Sequence, residues 1–244
     1  MSDAILEVKN STKIFGGLVA NEDISFDVER NSIVGVVGPN GAGKTTLFNS
    51  ISRNHDLSSG KIIFDKIDIT KLKPHDACKL GMGRTFQIPM ALESMTVLEN
   101  ILVGALLHFT QVNEATDYAK EISEFCGLSH LNSAFASSLN VIQKKRLEIA
   151  RALATKPKLL LLDEVMAGLT RPEQEESIDL IYRMNEKGIS ILLIEHVMRV
   201  VMRVSSKVVV IVSGKKLTEA TPDEVSTDER VIQSYLGGGK NASR

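Results

Sequence analysis

An α/β fold is predicted for this chain, with a mainly parallel core sheet, an N-terminal antiparallel β part and an inserted helical subdomain. Short apolar runs at residues 33–37, 159–162, 189–194 and 208–212 have the length of strands buried on both faces. Helix-spaced segments at residues 173–186 and 196–204 fall between the later runs, the alternation that implies a parallel sheet covered on both sides. Between the two β-containing parts, residues 96–154 show helical spacing instead.

Composition narrows the class. A length of 244 residues suits one α/β core with a subdomain inserted into it, and 43% apolar with 24% charged residues is ordinary for a globular protein. A formal net charge of −1 argues against a general electrostatic grip on nucleic acid, so no nucleic-acid partner is expected. The basic clusters Lys144-Lys145-Arg146 and Lys215-Lys216 are short enough to be solvated faces. Cys78 and Cys126 have no metal-ligand spacing and are expected to be free thiols in a reducing cytosol. The N-terminus lacks a basic segment and a long apolar stretch, so no signal peptide is expected. No apolar run approaches the roughly 20 residues of a membrane helix, so any membrane association should be peripheral.

In chain order, strands are expected at residues 5–8, 24–28 and 33–37, a helix at about 43–51, and a strand at 61–64 after the turn Ser58-Ser59-Gly60. Apolar residues Val97, Ile101, Leu102, Ala105 and Leu106 define one helix, and Ala119, Ile122 and Phe125 a second. A third spans about 142–154, with Leu147, Ala150 and Leu153. After the later strands, Ser213-Gly214 should close a hairpin into residues 215–218. The tail, 237–244, has no core-forming residues and is expected to be disordered.

Directly behind the 33–37 run stand Gly38, Pro39, Asn40, Gly41, Ala42, Gly43, Lys44, Thr45 and Thr46. This is G-x-x-x-x-G-K-[ST] in the setting that gives it meaning, a buried strand feeding a glycine-rich loop that opens a helix. Glycines let backbone N–H groups turn inward on a polyanion, and the helix N-terminus adds its dipole to the same spot. Lys44 would reach the β- and γ-phosphates and the Thr45 hydroxyl would hold Mg²⁺. A nucleoside triphosphate site follows.

Other residues complete such a site only in its company. Asp163 and Glu164 end the apolar run 159–162, and neighbouring strand side chains point to opposite faces, so the two acids can differ in role. Alone they make a solvated strand end; beside a phosphate loop, the first acid supports Mg²⁺ and the second handles the attacking water. His196 follows the 189–194 run, at the sheet edge where ligands bind. A lone histidine there is as easily structural. Gln87 in Gly83-Arg84-Thr85-Phe86-Gln87 is unremarkable in isolation, and Phe15 could stack a base or belong to the core.

In this order the pieces resemble an ABC-type ATPase over residues 5–236. Gly38 to Thr45 is similar to the Walker A loop, and residues 159–164 to the Walker B strand with its catalytic glutamate. Gln87 resembles the Q-loop glutamine, His196 the switch histidine, Ala167-Gly168-Leu169-Thr170 the D-loop and Phe15 the adenine-stacking aromatic. Further stretches resemble the nucleotide-binding subunit of branched-chain amino acid importers: Phe15-Gly16-Gly17-Leu18-Val19-Ala20, Gly83-Arg84-Thr85-Phe86-Gln87, Met95-Thr96-Val97-Leu98-Glu99-Asn100-Ile101 and Val231-Ile232-Gln233-Ser234-Tyr235-Leu236. The resemblance implies a P-loop NTPase fold in one domain, 1–236. Its RecA-like core would be 1–87 and 155–236, and its helical subdomain about 88–154. It implies ATP and Mg²⁺ as cofactors, with Thr45, Gln87 and Asp163 toward the metal and Glu164, His196, Lys44 and Gln87 in catalysis. It also implies a second ABC ATPase subunit, as homo- or heterodimer, and transmembrane permease subunits whose coupling helix docks at residues 87–103, at the cytoplasmic face of the membrane. The alternatives are a soluble ABC ATPase outside transport and a binding-only regulatory subunit.

One segment departs from the pattern. The family carries Leu-Ser-Gly-Gly-Gln where this chain has Leu139-Asn140-Val141-Ile142-Gln143. That signature reaches across a head-to-tail dimer to ATP on the partner, so Asn140 and Gln143 are candidate nucleotide contacts. The Asn140 amide can still donate, whereas Val141 and Ile142 are bulky at the point of closest approach. A weakened contact is expected.

Overall fold

The computed structural model describes residues 3–87 and 90–236; the predicted tail, 237–244, lies outside them. Two long antiparallel strands, β1 (Ala4–Phe15) and β2 (Leu18–Glu29), form the opening hairpin. They extend well beyond the 5–8 and 24–28 segments expected. Their pairing shifts register after Val8 and again around Ser11 and Lys13, so the polar-apolar alternation that marks a strand is broken there. Then come β3 (Ile33–Val37), α1 (Lys44–Ile51), β4 (Ser59–Phe64), β5 (Ile67–Asp68), α2 (Pro74–Leu80) and β6 (Met82–Arg84). The helical stretch supplies α3 (Val97–Ala105), α4 (Val112–Phe125) and α5 (Val141–Ala154). Capping boxes start two of these: Thr96 with Glu99, and Asn140 with Gln143. The remainder alternates as β7 (Leu159–Asp163), α6 (Arg171–Glu186), β8 (Ser190–Ile194), α7 (Met198–Val204), β9 (Lys207–Val212) and β10 (Lys215–Ala220), followed by α8 (Pro222–Thr227) and α9 (Glu229–Leu236).

The strands make a four-stranded antiparallel sheet, β2-β1-β4-β5, and a six-stranded sheet, β10-β9-β3-β8-β7-β6. In the larger sheet only β10 runs antiparallel. Its inner strands are apolar except at their ends, at Asp163, Ser190 and Lys207, because both faces are covered. Val34, Val36, Leu159, Leu161, Leu192 and Ile194 pack with α1 and the antiparallel sheet, through Leu47, Phe48, Ile5, Phe26 and Phe64. Alternate residues Val37, Leu160, Leu162, Ile191 and Leu193 pack on the other side with helical residues such as Ile101, Leu147, Ile178, Ile181 and Val201. No helix among the described residues is long and apolar enough to cross a membrane.

Topology brings the carboxyl ends of β3, β8 and β7 together, and buried polar groups brace the loop after β7. The Oε1 atom of Glu195, just beyond β8, accepts the Met166 N–H at 2.8 Å. Lys145 of α5 donates its Nζ to the carbonyls of Glu164 at 3.2 Å and Ala167 at 2.6 Å. Burial pushes the Glu195 carboxyl up to about 7, against the opposing pull of the Met166 N–H and Lys145. A carboxyl whose folded pKa lies above its unfolded value of 4.5 contributes stability that is fully present below pH 4.5 and lost as pH rises through about 7. Between pH 6 and 8 this group should therefore cost on the order of 1 kcal/mol, roughly 2–4 °C in Tm. Glu195→Gln should shed that component. Melting curves at both pH values will show the gap between variant and parent moving in the variant's favour at pH 8, and a constant gap would contradict it.

Candidate functional site

The loop after β3 owes its shape to two glycines. A Cβ on Gly38 would lie 2.0 Å from the Ile211 carbonyl oxygen, so no other residue fits without moving β9. Gly43 is the N-cap of α1 at φ 96°, in the left-handed region, and supplies no side-chain cap. Among the described residues no side chain caps the start of the helix, and its first residues, Lys44, Thr45 and Thr46, line the cavity, the arrangement that receives an anion. Lys44 lies across the loop, its Nζ donating to the carbonyls of Gly38 at 2.7 Å and Pro39 at 2.9 Å. Burial pulls its pKa down, while Glu164 and Asp163 pull it back up. The ammonium is therefore held at the loop between backbone dipoles and two acids.

Residues 40–46 form one wall of a cavity whose other walls include Gln87, Glu164, His196, Ser213 and Gly214. Asn40, Gly41, Ala42, Gly43, Thr45 and Thr46 all lie in that wall, as does Lys44, while Pro39 contributes its carbonyl from behind. Glu164 is the central group. Its φ of 50° puts it in the left-handed region, unusual for a residue with a Cβ. Its N–H donates to the Ile194 carbonyl at 2.9 Å, and the Lys145 ammonium holds its own carbonyl. The carboxylate projects between two partners: Gln87 Nε2 donates to Oε2 at 2.7 Å, and His196 Nε2 is in hydrogen-bond contact with Oε1. Residues from three separate loops thus meet on one carboxylate.

Asp163, one residue earlier, has the opposite environment. It is 1% exposed, its N–H donates to Thr85 Oγ1 at 3.1 Å, and its Oδ2 accepts from Arg84 Nη2 at 3.2 Å. Burial raises its pKa, and the Arg84 guanidinium opposes the rise. Oδ1 is buried without a hydrogen-bond partner among the described residues. An orphaned carboxylate oxygen, the Thr45 hydroxyl and the phosphates that the loop is shaped to hold are the hard oxygen donors that suit Mg²⁺. Among the described residues there is no cluster of three or more His, Cys, Asp or Glu, so a metal here would depend on donors from a bound nucleotide.

Three of the candidate nucleotide contacts do not line this cavity, and two of them, Asn140 and Gln143, are expected to meet a partner's nucleotide, not this chain's own. Phe15 is 42% exposed, with its ring edge-on to His55 at 5.4 Å, outside the cavity wall. Leu18, Val19 and Ala20 of β2 form the apolar wall on that side, carried there by the hairpin that turns at Gly16-Gly17. Asn140 and Gln143 stand at the start of α5, exchanging bonds of 3.0 and 2.9 Å between backbone N–H and side-chain oxygen. Sequence reading also missed Lys145, Glu195 and Arg84, whose roles depend on long-range contacts alone.

An ABC transporter family model matches residues 21–167, and a branched-chain amino acid ATP-binding cassette transporter model matches residues 215–241. The chain is 37% identical over 253 residues to the high-affinity branched-chain amino acid transport ATP-binding protein BraF of Pseudomonas aeruginosa, covering 97% of this chain and 99% of that one. It is 35% identical over 245 residues to a probable branched-chain amino acid transport ATP-binding protein LivG of Archaeoglobus fulgidus, covering 96% and 95%. Among solved structures, the ADP conformation of MJ1267, an ATP-binding cassette of an ABC transporter, superposes with a TM-score of 0.87 at 32% identity, covering 96% and 99%. A nucleotide-free ATP-binding cassette gives 0.86 at 31% identity, covering 95% and 98%. The phosphate loop, the paired acids and these matches along almost the whole chain agree, and the chain belongs to the ATP-binding family of ABC transporters.

Proposed function

We propose that this chain binds and hydrolyses ATP to power a membrane importer of branched-chain amino acids or similar small amino acids and amides. The observation that carries the reading is Glu164 held by Gln87 and His196 in the cavity walled by the phosphate loop. Water attacks the γ-phosphorus in line as the bond to the β,γ-bridging oxygen breaks and ADP leaves, with Glu164 taking the water's proton as general base. Gln87 orients the water and the carboxylate, and Lys44 and His196 stabilise the charge that develops on the phosphoryl oxygens. Thr45 and Asp163 would hold Mg²⁺, with Gln87 near it. Bound there, the ion neutralises charge on the β- and γ-phosphates.

Coupling to permease subunits is assigned to the groove beside the 87–103 segment. Phe86, Met90, Val103 and Leu107 line it and are 39%, 65%, 45% and 37% exposed, an apolar strip suited to a short amphipathic helix. The helical block 88–154 is assigned as the subdomain that carries this groove. ATP bridging two ATPase subunits would close the dimer, and hydrolysis would release it.

In a dimer the altered segment would face the partner's nucleotide. Val141 is 66% exposed at the start of α5, and Asn140 Oδ1 is already committed to the Gln143 N–H. The proposal is that the nucleotide site completed by this segment hydrolyses slowly, while the site built on this chain's Lys44 and Glu164 depends on the partner's signature.

Two measurements test the reading. Glu164→Gln should keep ATP affinity while lowering turnover by about 10²–10⁴-fold, the loss of a general base. Lys44→Ala should weaken nucleotide binding by about tenfold or more. Retained hydrolysis in Glu164→Gln, read by phosphate release in the assembled complex, would refute the assignment. Replacing Val141 and Ile142 by glycine should raise turnover of the same complex; an unchanged rate would dismiss the weakened-contact idea.

A further inference from the structure

Arg84 stands between the groove and the paired acids, and no step of the mechanism above employs it. It ends β6, the edge strand beside β7, and its side chain is 8% exposed. One guanidinium nitrogen, Nη1, donates to Asn49 Oδ1 at 2.7 Å and Ser52 Oγ at 2.6 Å, at the far end of α1. The other, Nη2, donates to Asp163 Oδ2 at 3.2 Å. The same helix opens with Lys44 and Thr45. A single planar cation therefore ties the helix that bears one proposed metal donor to the carboxylate that supplies the other. Because Oδ2 is taken by Arg84, the unpartnered Oδ1 is the oxygen left to face a cation.

The opposite side of the group belongs to the groove. The Arg84 guanidinium carbon lies 4.8 Å from the centroid of the Phe86 ring, and the Phe86 N–H donates to Glu148 Oε1 of α5 at 2.8 Å. Arg84, Phe86 and Glu148 all line the groove. Removing one member of a buried ion pair leaves the other uncompensated, so Asp163 depends on this contact for its charge and its orientation.

We propose that Arg84 is a positioning residue that orients Asp163 Oδ1 and α1 for a divalent cation, and that its stacking on Phe86 passes the state of the groove to that carboxylate. The inference rests on the reading of Asp163 and Thr45 as metal donors. The structure makes Arg84 the only described side chain that bonds to Asp163 Oδ2 and to α1 together.

The test uses the full-length chain and a fluorescent ATP analogue, titrated in EDTA and then against Mg²⁺. Arg84→Gln should leave affinity in EDTA within about twofold of the parent, yet raise the Mg²⁺ concentration for half-maximal tightening about tenfold or more, the usual effect of losing an outer-shell partner. Arg84→Lys, which keeps the charge without the fork, should recover part of the loss. Phe86→Ala should shift the Mg²⁺ midpoint the same way by a smaller factor, and an unmoved midpoint there would remove the groove half of the proposal. Asp163→Asn separates the two levels: no change in Mg²⁺ dependence overturns the metal-donor reading itself. A shifted Asp163→Asn midpoint with an unmoved Arg84→Gln midpoint overturns the role of Arg84. Should Arg84→Gln fail to fold, Asn49→Ala combined with Ser52→Ala removes the α1 anchor while sparing the Asp163 bond. That double variant should also raise the midpoint, and a parental value overturns the proposal.

Discussion

The parallel pairing of β3 with β8, and of β8 with β7, decides where every reactive group ends up. Val36 pairs with Ile194, and Ile194 in turn pairs with Asp163. The chain leaves β3 for the phosphate loop at the level where β7 delivers its two acids, with one strand between them. Neighbouring strands lie about 4.8 Å apart, so loop and acids face each other across roughly 10 Å. That gap suits a phosphate chain with a cation and a water. A slip of one residue in β7 would exchange the faces of Asp163 and its neighbours and put the wrong side chains toward the loop. Leucines fill both faces of β7, Leu160 and Leu162 on one and Leu159 and Leu161 on the other, so they do not distinguish the two registers. The bonds at its end do: Asp163 to Thr85 and Arg84, and the Glu164 N–H to the Ile194 carbonyl.

Adjacent acids then acquire different chemistry from their surroundings. Asp163 is the last residue of β7 and stays inside, fixed at one oxygen by Arg84. Glu164 turns into the left-handed region and projects into the cavity. Such a backbone conformation costs about 1–3 kcal/mol at a residue with a Cβ. The offset comes from the Ile194 carbonyl, the Lys145 ammonium and the two side chains on its carboxylate. Strain at this residue is sustained by groups from β8, α5, the turn before α7 and the segment after β6. Loosening any of them releases the carboxylate from its aim.

Legibility in sequence followed the range of the interaction. Strands buried on both faces declare themselves by unbroken apolar runs, and the phosphate loop by fixed spacing, so β3, β7, β8, β9 and the loop were readable. The outer halves of β1 and β2 were not, because register shifts break their alternation. A three-residue strand such as β6 carries too few positions for any period to show. Arg84 looks like one more surface charge until β6 pairs with β7, and Glu195 like a polar neighbour of His196 until the Met166 N–H arrives beside it. Phe15, which the sequence leaves between base stacking and the core, is 42% exposed and so is not a core residue, while Leu18 and Val19 line the cavity beside it.

Helix α5 joins these observations. Val141, Lys145 and Glu148 are spaced by four and then three residues, which places them on one stripe of the helix. At its start the stripe is exposed, where a partner subunit would press on Val141. One turn on, Lys145 grips the carbonyls of Glu164 and Ala167; a further turn on, Glu148 holds the Phe86 N–H at the groove. On the proposed roles, a rod that touches the partner-facing segment, Glu164 and the groove along one side would move all three together. Bulky residues at its tip need not abolish that linkage, since the capping box preserves the helix start and the grips lie further along. What they change is how closely the tip can approach a neighbouring nucleotide. Changing residues 141 and 142 would therefore separate proximity to the partner's phosphates from the coupling proposed for the rest of α5.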